Sequence, residues 1–247
     1  IYDVIRCIDS SEREYEFLSR SLFKRAEIDR TIYTDKNDLQ FNNIDQLIKT
    51  FNSRIYYKHA HRRIETYSRY LYVKGYEDNI HDIVRALTDK TEDGIAGYEA
   101  MAKSWISSHG EIDDPNKIRV LENLFVSSRI ALIYGAAGTG KTTLLKYIAD
   151  MFSNNSKLFL ASTNPAVEVL SRRIGDNKST FMTVSKAMQA SRETDILVLD
   201  ECSTISNSDM NKVLSKIEYK AWIMVGDTYQ IESIEFGNWF SIAKYFV

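Results

Sequence analysis

Apolar residues recur along this 247-residue chain in two rhythms, and the change from one to the other divides it. In the first part the spacing is helical. Phe41, Ile44, Leu47, Ile48 and Phe51 make one stripe, Ile80, Ile83, Val84 and Leu87 a second, and Tyr98, Met101, Ala102, Trp105 and Ile106 a third. These stripes predict a mostly helical domain over 1–112 whose apolar faces form a core. Further on, short runs that are apolar on both faces alternate with helical stretches: 129–134, 157–160, 195–199 and 221–225. Strands of that kind, separated by helices, predict a parallel sheet covered on both sides, an α/β domain over 113–247.

Between the two textures Asp114 stands before Pro115, a cap followed by a first-turn proline, so the boundary is placed at 110–115. Charge supports the division: 17 basic against 21 acidic residues up to Pro115, and 15 against 13 after it. The whole chain carries a formal charge of −2, with 44% hydrophobic and 27% charged residues, an ordinary globular composition that excludes collagen, coiled-coil rod and disordered classes. Cys7 and Cys202 match no metal spacing and predict neither a disulfide framework nor a zinc site, which fits a reducing, cytoplasmic setting. No apolar run has membrane-spanning length, so no membrane association is expected. The start at Ile1 and the apolar end at Val247 suggest a piece of something longer.

The first strand of the second half runs into Gly135-Ala-Ala-Gly-Thr-Gly-Lys-Thr142, which fits GxxxxGK[ST] and precedes a helix containing Leu144, Leu145 and Ile148. A polyphosphate can be wrapped by backbone N–H groups only where no Cβ intrudes. Gly135, Gly138 and Gly140 meet that need, with Thr139 between them and Thr143 just after. Lys141 is expected at the β- and γ-phosphates of ATP and the Thr142 hydroxyl on Mg2+. A second strand ends in Asp200 and Glu201, 59 residues after Lys141. Asp200 is the expected magnesium partner, and Glu201 the general base for the attacking water. Cys202 beside them reads as a small packing residue.

Four further stretches join the phosphate loop: 161–170, 183–188, 200–206 and 226–230. Together the five resemble, in letters, order and spacing, motifs I, Ia, Ib, II and III of superfamily 1 helicases, closest to the RecD-like branch. The resemblance covers roughly 116–247 and implies the first RecA-like motor domain of an ATP-dependent translocase or helicase. It implies that Gln230 senses the γ-phosphate, with Asp227 bracing its loop, and that Thr163, Asn164 and Thr183 touch single-stranded nucleic acid, with DNA favoured over RNA. Ser162, Thr163 and Asn164 also read as a helix cap, and the two roles are compatible. The chain departs from the family in three places. Asn116 stands where relatives carry an adenine-reading glutamine, Pro165 replaces the usual lysine, and Ser162 the usual proline. Nothing after Gln230 resembles motifs IV to VI, so weak hydrolysis is expected of this fragment. A nucleotide-gated switch or scaffold that regulates a partner without unwinding is the alternative function; a small-molecule kinase lacks an acceptor site.

In the first half, 54–74 carries six basic residues and one acidic, interleaved with five tyrosines and two histidines. Such a mixture suits single-stranded nucleic acid. The favoured expectation is instead an amphipathic helix with buried tyrosines and solvated arginines, and a protein-docking role for this half is equally open.

Overall fold

The computed structural model describes residues 12–110, 112–136, 138–175, 178–227 and 237–245. They fall into two compact units that divide between Asp82 and Ile83.

The first unit opens with α1 (Glu14–Glu27), whose acidic first turn and basic last turn complement the helix dipole. A short strand β1 (Thr34–Asp35) leads to α2 (Ile44–Arg54), and then come β2 (Ile64–Tyr67) and β3 (Tyr70–Val73). The three strands form an antiparallel sheet in the order β1-β3-β2. Leu18 and Leu22 of α1, Ile48 of α2 and Ile64, Leu71 and Val73 of the sheet make the core, with Phe41, Ile44, Leu47 and Phe51 packed against it. The first predicted stripe therefore does line a core. The expectation of one amphipathic helix over 54–74 is corrected: a 3-10 turn (Tyr57–Arg62) and the β2-β3 hairpin occupy it. The unit mixes helices with a sheet.

The helix α3 (Lys74–Thr91) leads out of the first unit, followed by α4 (Tyr98–His109) and α5 (Pro115–Asn123). Asp114 accepts a hydrogen bond from the Asn116 amide at 2.8 Å and Pro115 sits in the first turn, as the sequence predicts. Tyr98 and Ala102 are buried in the same cluster as Ala131, Ile133, Leu145 and Ile148, so α4 belongs to the α/β unit. The structural division thus falls about thirty residues before the expected 110–115. The third stripe is helical, but its partner is the sheet that follows it.

Five parallel strands build that sheet: β4 (Ile130–Tyr134), β5 (Lys157–Ala161), β6 (Ser179–Thr183), β7 (Arg192–Leu199) and β8 (Ile217–Gly226). Their order is β4-β8-β7-β5-β6. The connecting helices are α6 (Lys141–Met151), α7 (Asn164–Ile174), α8 (Val184–Ala187) and α9 (Asn207–Lys216), with α10 (Trp239–Ala243) after the last strand. Every side chain of β5 is buried, as are the last six of β8, which is why these strands read as continuous apolar runs. This is the RecA-like P-loop α/β fold. Trp222 and Trp239 are fully buried and stack with ring centroids 6.0 Å apart. Trp239 also donates from its indole nitrogen to the Ile205 carbonyl at 2.9 Å, satisfying the one polar atom its burial would otherwise orphan.

Candidate nucleotide site

The strand order brings the site together. β8 lies between β4 and β7, and the register pairs Tyr134 with Gly226, so the carboxyl ends of β4, β8 and β7 lie along one edge of the sheet. Ligands of open α/β sheets bind at that carboxyl edge.

The loop after β4 is shaped by its own sequence. Gly138 and Gly140 hold φ of 81° and 83°, the left-handed region where a Cβ is costly. Thr139 fastens the turn, its hydroxyl donating to the Ala136 carbonyl at 2.9 Å. Gly140 caps α6, so the open backbone amides of that helix face the loop. The Lys141 ammonium donates to the carbonyls of Gly135 and of Ala136, the latter at 3.0 Å. On the far side of the loop the Lys117 ammonium lies 3.1 Å from where a Cβ on Gly140 would stand, and it pairs with Asp113 at 2.6 Å. That places the start of α5, with exposed Asn116, beside the loop, although Asn116 does not line the cavity.

The cavity, of about 380 Å³, is lined by the loop and first turn from Gly138 to Thr143, by Asp200, Glu201, Gly226 and Asp227, and by Arg173. Burial pushes the Asp200 carboxyl above its ordinary range; the neighbouring Glu201 charge adds to this, while the Glu201 amide, donating at 3.0 Å, and Lys141 oppose it. Glu201 has φ 55° and ψ 42°, a left-handed conformation at a non-glycine residue. Such strain persists only where surrounding bonds hold it. The Glu201 carbonyl accepts from both the amide and the hydroxyl of Thr204, at 2.9 and 2.8 Å. The Thr204 hydroxyl in turn accepts from Ser162, at the end of β5. Three carboxylates therefore face two cationic side chains in a cavity that also holds the Thr142 hydroxyl, a donor set that fits a divalent cation accompanying a polyphosphate. Among the described residues no cluster of three His, Cys, Asp or Glu forms a metal site on its own.

Of the sequence-predicted residues, Gly138, Thr139, Gly140, Lys141, Thr142, Thr143, Asp200 and Glu201 line one cavity, with Gly135 at the root of the loop. Gln230 lies outside the described residues. Thr163 and Asn164 are exposed after β5, and Thr183 stands in register with Ala161 on β6, so all three share the same sheet edge. Thr163 caps α7, its hydroxyl oxygen accepting from Ala166 at 3.4 Å, and Thr183 caps α8, accepting from Lys186 at 3.3 Å. Cys202 is buried, its thiol pushed well up by burial and donating to the Leu199 carbonyl, in keeping with a packing role. Sequence reasoning missed Arg173, an exposed arginine near the end of α7 with no local motif around it.

A glycine loop capping a helix, facing strand-end carboxylates on a five-stranded parallel sheet, defines a P-loop nucleotide-binding domain. The family model for the AAA domain matches residues 114–244, more than half of the chain, which therefore belongs to that family. Among solved structures, the "Crystal structure of PRRSV nsp10 (helicase)" is similar over 45% of this chain and 29% of that one, at 18% identity and a TM-score of 0.32. The chain spans less than a third of that protein's length. No curated protein matches it. Among the described residues no helix is long and apolar enough to cross a membrane.

Proposed function

We propose that the second unit is the ATP-binding half of a motor that moves along single-stranded nucleic acid, with DNA favoured, and that it hydrolyses ATP at Glu201. The supporting observation is that the phosphate loop and the Asp200–Glu201 strand end line one cavity. Lys141 already sits on two carbonyls of its own loop and exchanges them for phosphate oxygens when ATP arrives. The Thr142 hydroxyl and the Asp200 carboxylate would hold Mg2+, which would offset the charge of the phosphates. Glu201 accepts the proton of a water as that water's oxygen bonds to the γ-phosphorus and the bond to the ADP oxygen breaks. Arg173, at the rim of the same cavity, adds a cation for the phosphates.

The bond from Ser162 through Thr204 to the Glu201 carbonyl links this chemistry to the other end of the sheet edge. Ser162 immediately precedes Thr163 and Asn164, the nucleic-acid contacts of this reading. A strand bound there bears on the backbone that holds Glu201.

The test is ATP turnover by the longest natural chain containing this segment, with and without single-stranded DNA or RNA. Stimulation that Lys141→Ala abolishes supports the motor. Turnover that ignores nucleic acid favours a nucleotide-gated switch, and turnover that survives Lys141→Ala rejects the site.

A further inference from the structure

The chain between α2 and β2 does not form the amphipathic helix with buried tyrosines that its sequence suggests, and its side chains are displayed in an ordered way. From Arg54 to Arg63 it carries Arg54, Lys58, Arg62 and Arg63 and no acidic residue. Tyr57 is 71% exposed and Tyr56 54%. Lys58, His59, His61, Arg62 and Arg63 are exposed as well. A tyrosine in a core-facing helix would be covered. Here the rings form a ladder on the surface, Tyr56 to Tyr57 at 4.5 Å between centroids, Tyr56 to His59 at 6.1 Å and His59 to His61 at 6.0 Å.

The ladder is pinned. Asn52 closes the loop with its side-chain amide, donating to the Ile64 carbonyl at 2.8 Å and accepting from the Ile64 amide at 3.0 Å. Within the turn His59 bonds back to Tyr56 at 2.8 Å and Arg63 to Ala60 at 3.1 Å. At its far end Gly75 lets the His61 backbone come close: a Cβ there would lie 2.8 Å from the His61 carbonyl oxygen. Rings fixed in this way lose little freedom when something stacks on them.

Cations flank the segment on its α1 side. Arg54 lies over the Tyr15 ring at 4.7 Å and Arg62 over Phe23 at 5.3 Å, both on α1. A groove of about 700 Å³ between this segment and α1 is lined by Arg20, Lys24, Arg54, Arg62 and His59. Its two acids are already engaged, Glu16 with Arg13 at 2.6 Å and Glu27 with the Tyr76 hydroxyl at 2.5 Å. Lys58 and Arg63 form no ion pair among the described residues. Cations in a groove beside exposed, pre-arranged aromatic faces match the two demands of a single strand: charge for its phosphates and π-surfaces for its unpaired bases.

We infer that residues 54–63, with α1, form a second binding surface for single-stranded nucleic acid, separate from the sheet edge of the motor unit. An acidic polypeptide would use the cations and leave the rings idle. The surface lies in the first unit and its binding requires neither ATP nor hydrolysis, so it stands or falls apart from the motor reading.

The experiment measures fluorescence anisotropy of labelled oligothymidylate and oligouridylate, about twenty nucleotides long, without nucleotide. The protein is the 247-residue chain carrying Lys141→Ala, which silences the nucleotide site. Tyr57→Ala should weaken binding by about tenfold, the loss of one stacked base. Lys58→Gln with Arg63→Gln should lower the salt slope by about 1.4, the value for two released phosphate contacts on a single strand. Both changes lie on exposed positions, and circular dichroism checks that the fold is kept. The relative affinity for the two oligonucleotides identifies DNA or RNA as the ligand. Unchanged binding in both variants overturns the inference, as does displacement of the strand by an equal charge of oligoglutamate, which would assign the surface to an acidic protein.

Discussion

Glu201 is held at φ 55°, ψ 42°, and that conformation makes a prediction about stability apart from chemistry. A residue with a Cβ pays roughly 1–2 kcal/mol to be left-handed, and glycine does not. Glycine gives back about 0.4–1 kcal/mol through the greater freedom of its unfolded chain. Glu201→Ala and Glu201→Gly both remove the carboxylate, so the difference between them isolates the backbone. With the two effects set against each other, the glycine variant should be more stable than the alanine variant by about 1 kcal/mol. For a domain of this size that is a rise of roughly 2–4 °C in the melting temperature. Thermal unfolding followed by circular dichroism, with urea titration as the second measure, reads it directly. If the alanine variant matches or exceeds the glycine variant in both, the strain at Glu201 is absent and the bonds from Thr204 have nothing to restrain. Neither variant should turn over ATP.

Thr204→Val removes the hydroxyl that bridges Ser162 and the Glu201 carbonyl, and should cost about 1 kcal/mol of stability. If the proposed hydrolysis holds, the same change in the longest natural chain containing this segment should lower kcat for ATP while leaving KM unchanged, because the phosphate contacts lie elsewhere; steady-state kinetics give both. Asp195 has its carboxyl pushed down to about 2, first by the Lys220 ammonium at 2.6 Å and next by the Ser156 amide and hydroxyl. A depressed carboxyl stabilises the fold above its unfolded value near 4 and loses that contribution as pH falls toward 2. Asp195→Asn should therefore cost roughly 1 kcal/mol at pH 7, screening by solvent at the exposed Lys220 included, and almost nothing at pH 2. Urea unfolding at the two pH values measures it.

Much of the second unit was legible because its physics is local. Buried parallel strands need apolar residues on both faces, and the phosphate loop needs its glycines, so β4, β5, β7, β8 and the loop could all be read from short windows. The first unit was harder. The β2-β3 hairpin turns at Ser68 and Arg69, with Ser68 at φ 55°, where a sequence signal would have been Asn-Gly. Without it, tyrosines and arginines at mixed spacing resembled a helix. Two features of the site had no local signal. Arg173 reaches the cavity only because α7 is placed beside it, and the left-handed Glu201 is held by Thr204 and, through it, by Ser162 just past the end of β5. The compact units divide earlier than the expected boundary for a similar reason: an amphipathic stripe announces a buried face and leaves its partner unnamed.

The position of β8 bears on how such a chain comes into being. Among the described residues β4, which carries the phosphate loop, has a single neighbour in the sheet, and that neighbour is the last of the five strands to leave the ribosome, nearly ninety residues behind it. Until then the nucleotide cradle hangs from an unpaired edge. Pairing at so long a separation is slow and entropically demanding, so the cradle is completed late in synthesis. A nascent chain released before β8 would keep β5, β6 and β7 together and still be unable to hold ATP.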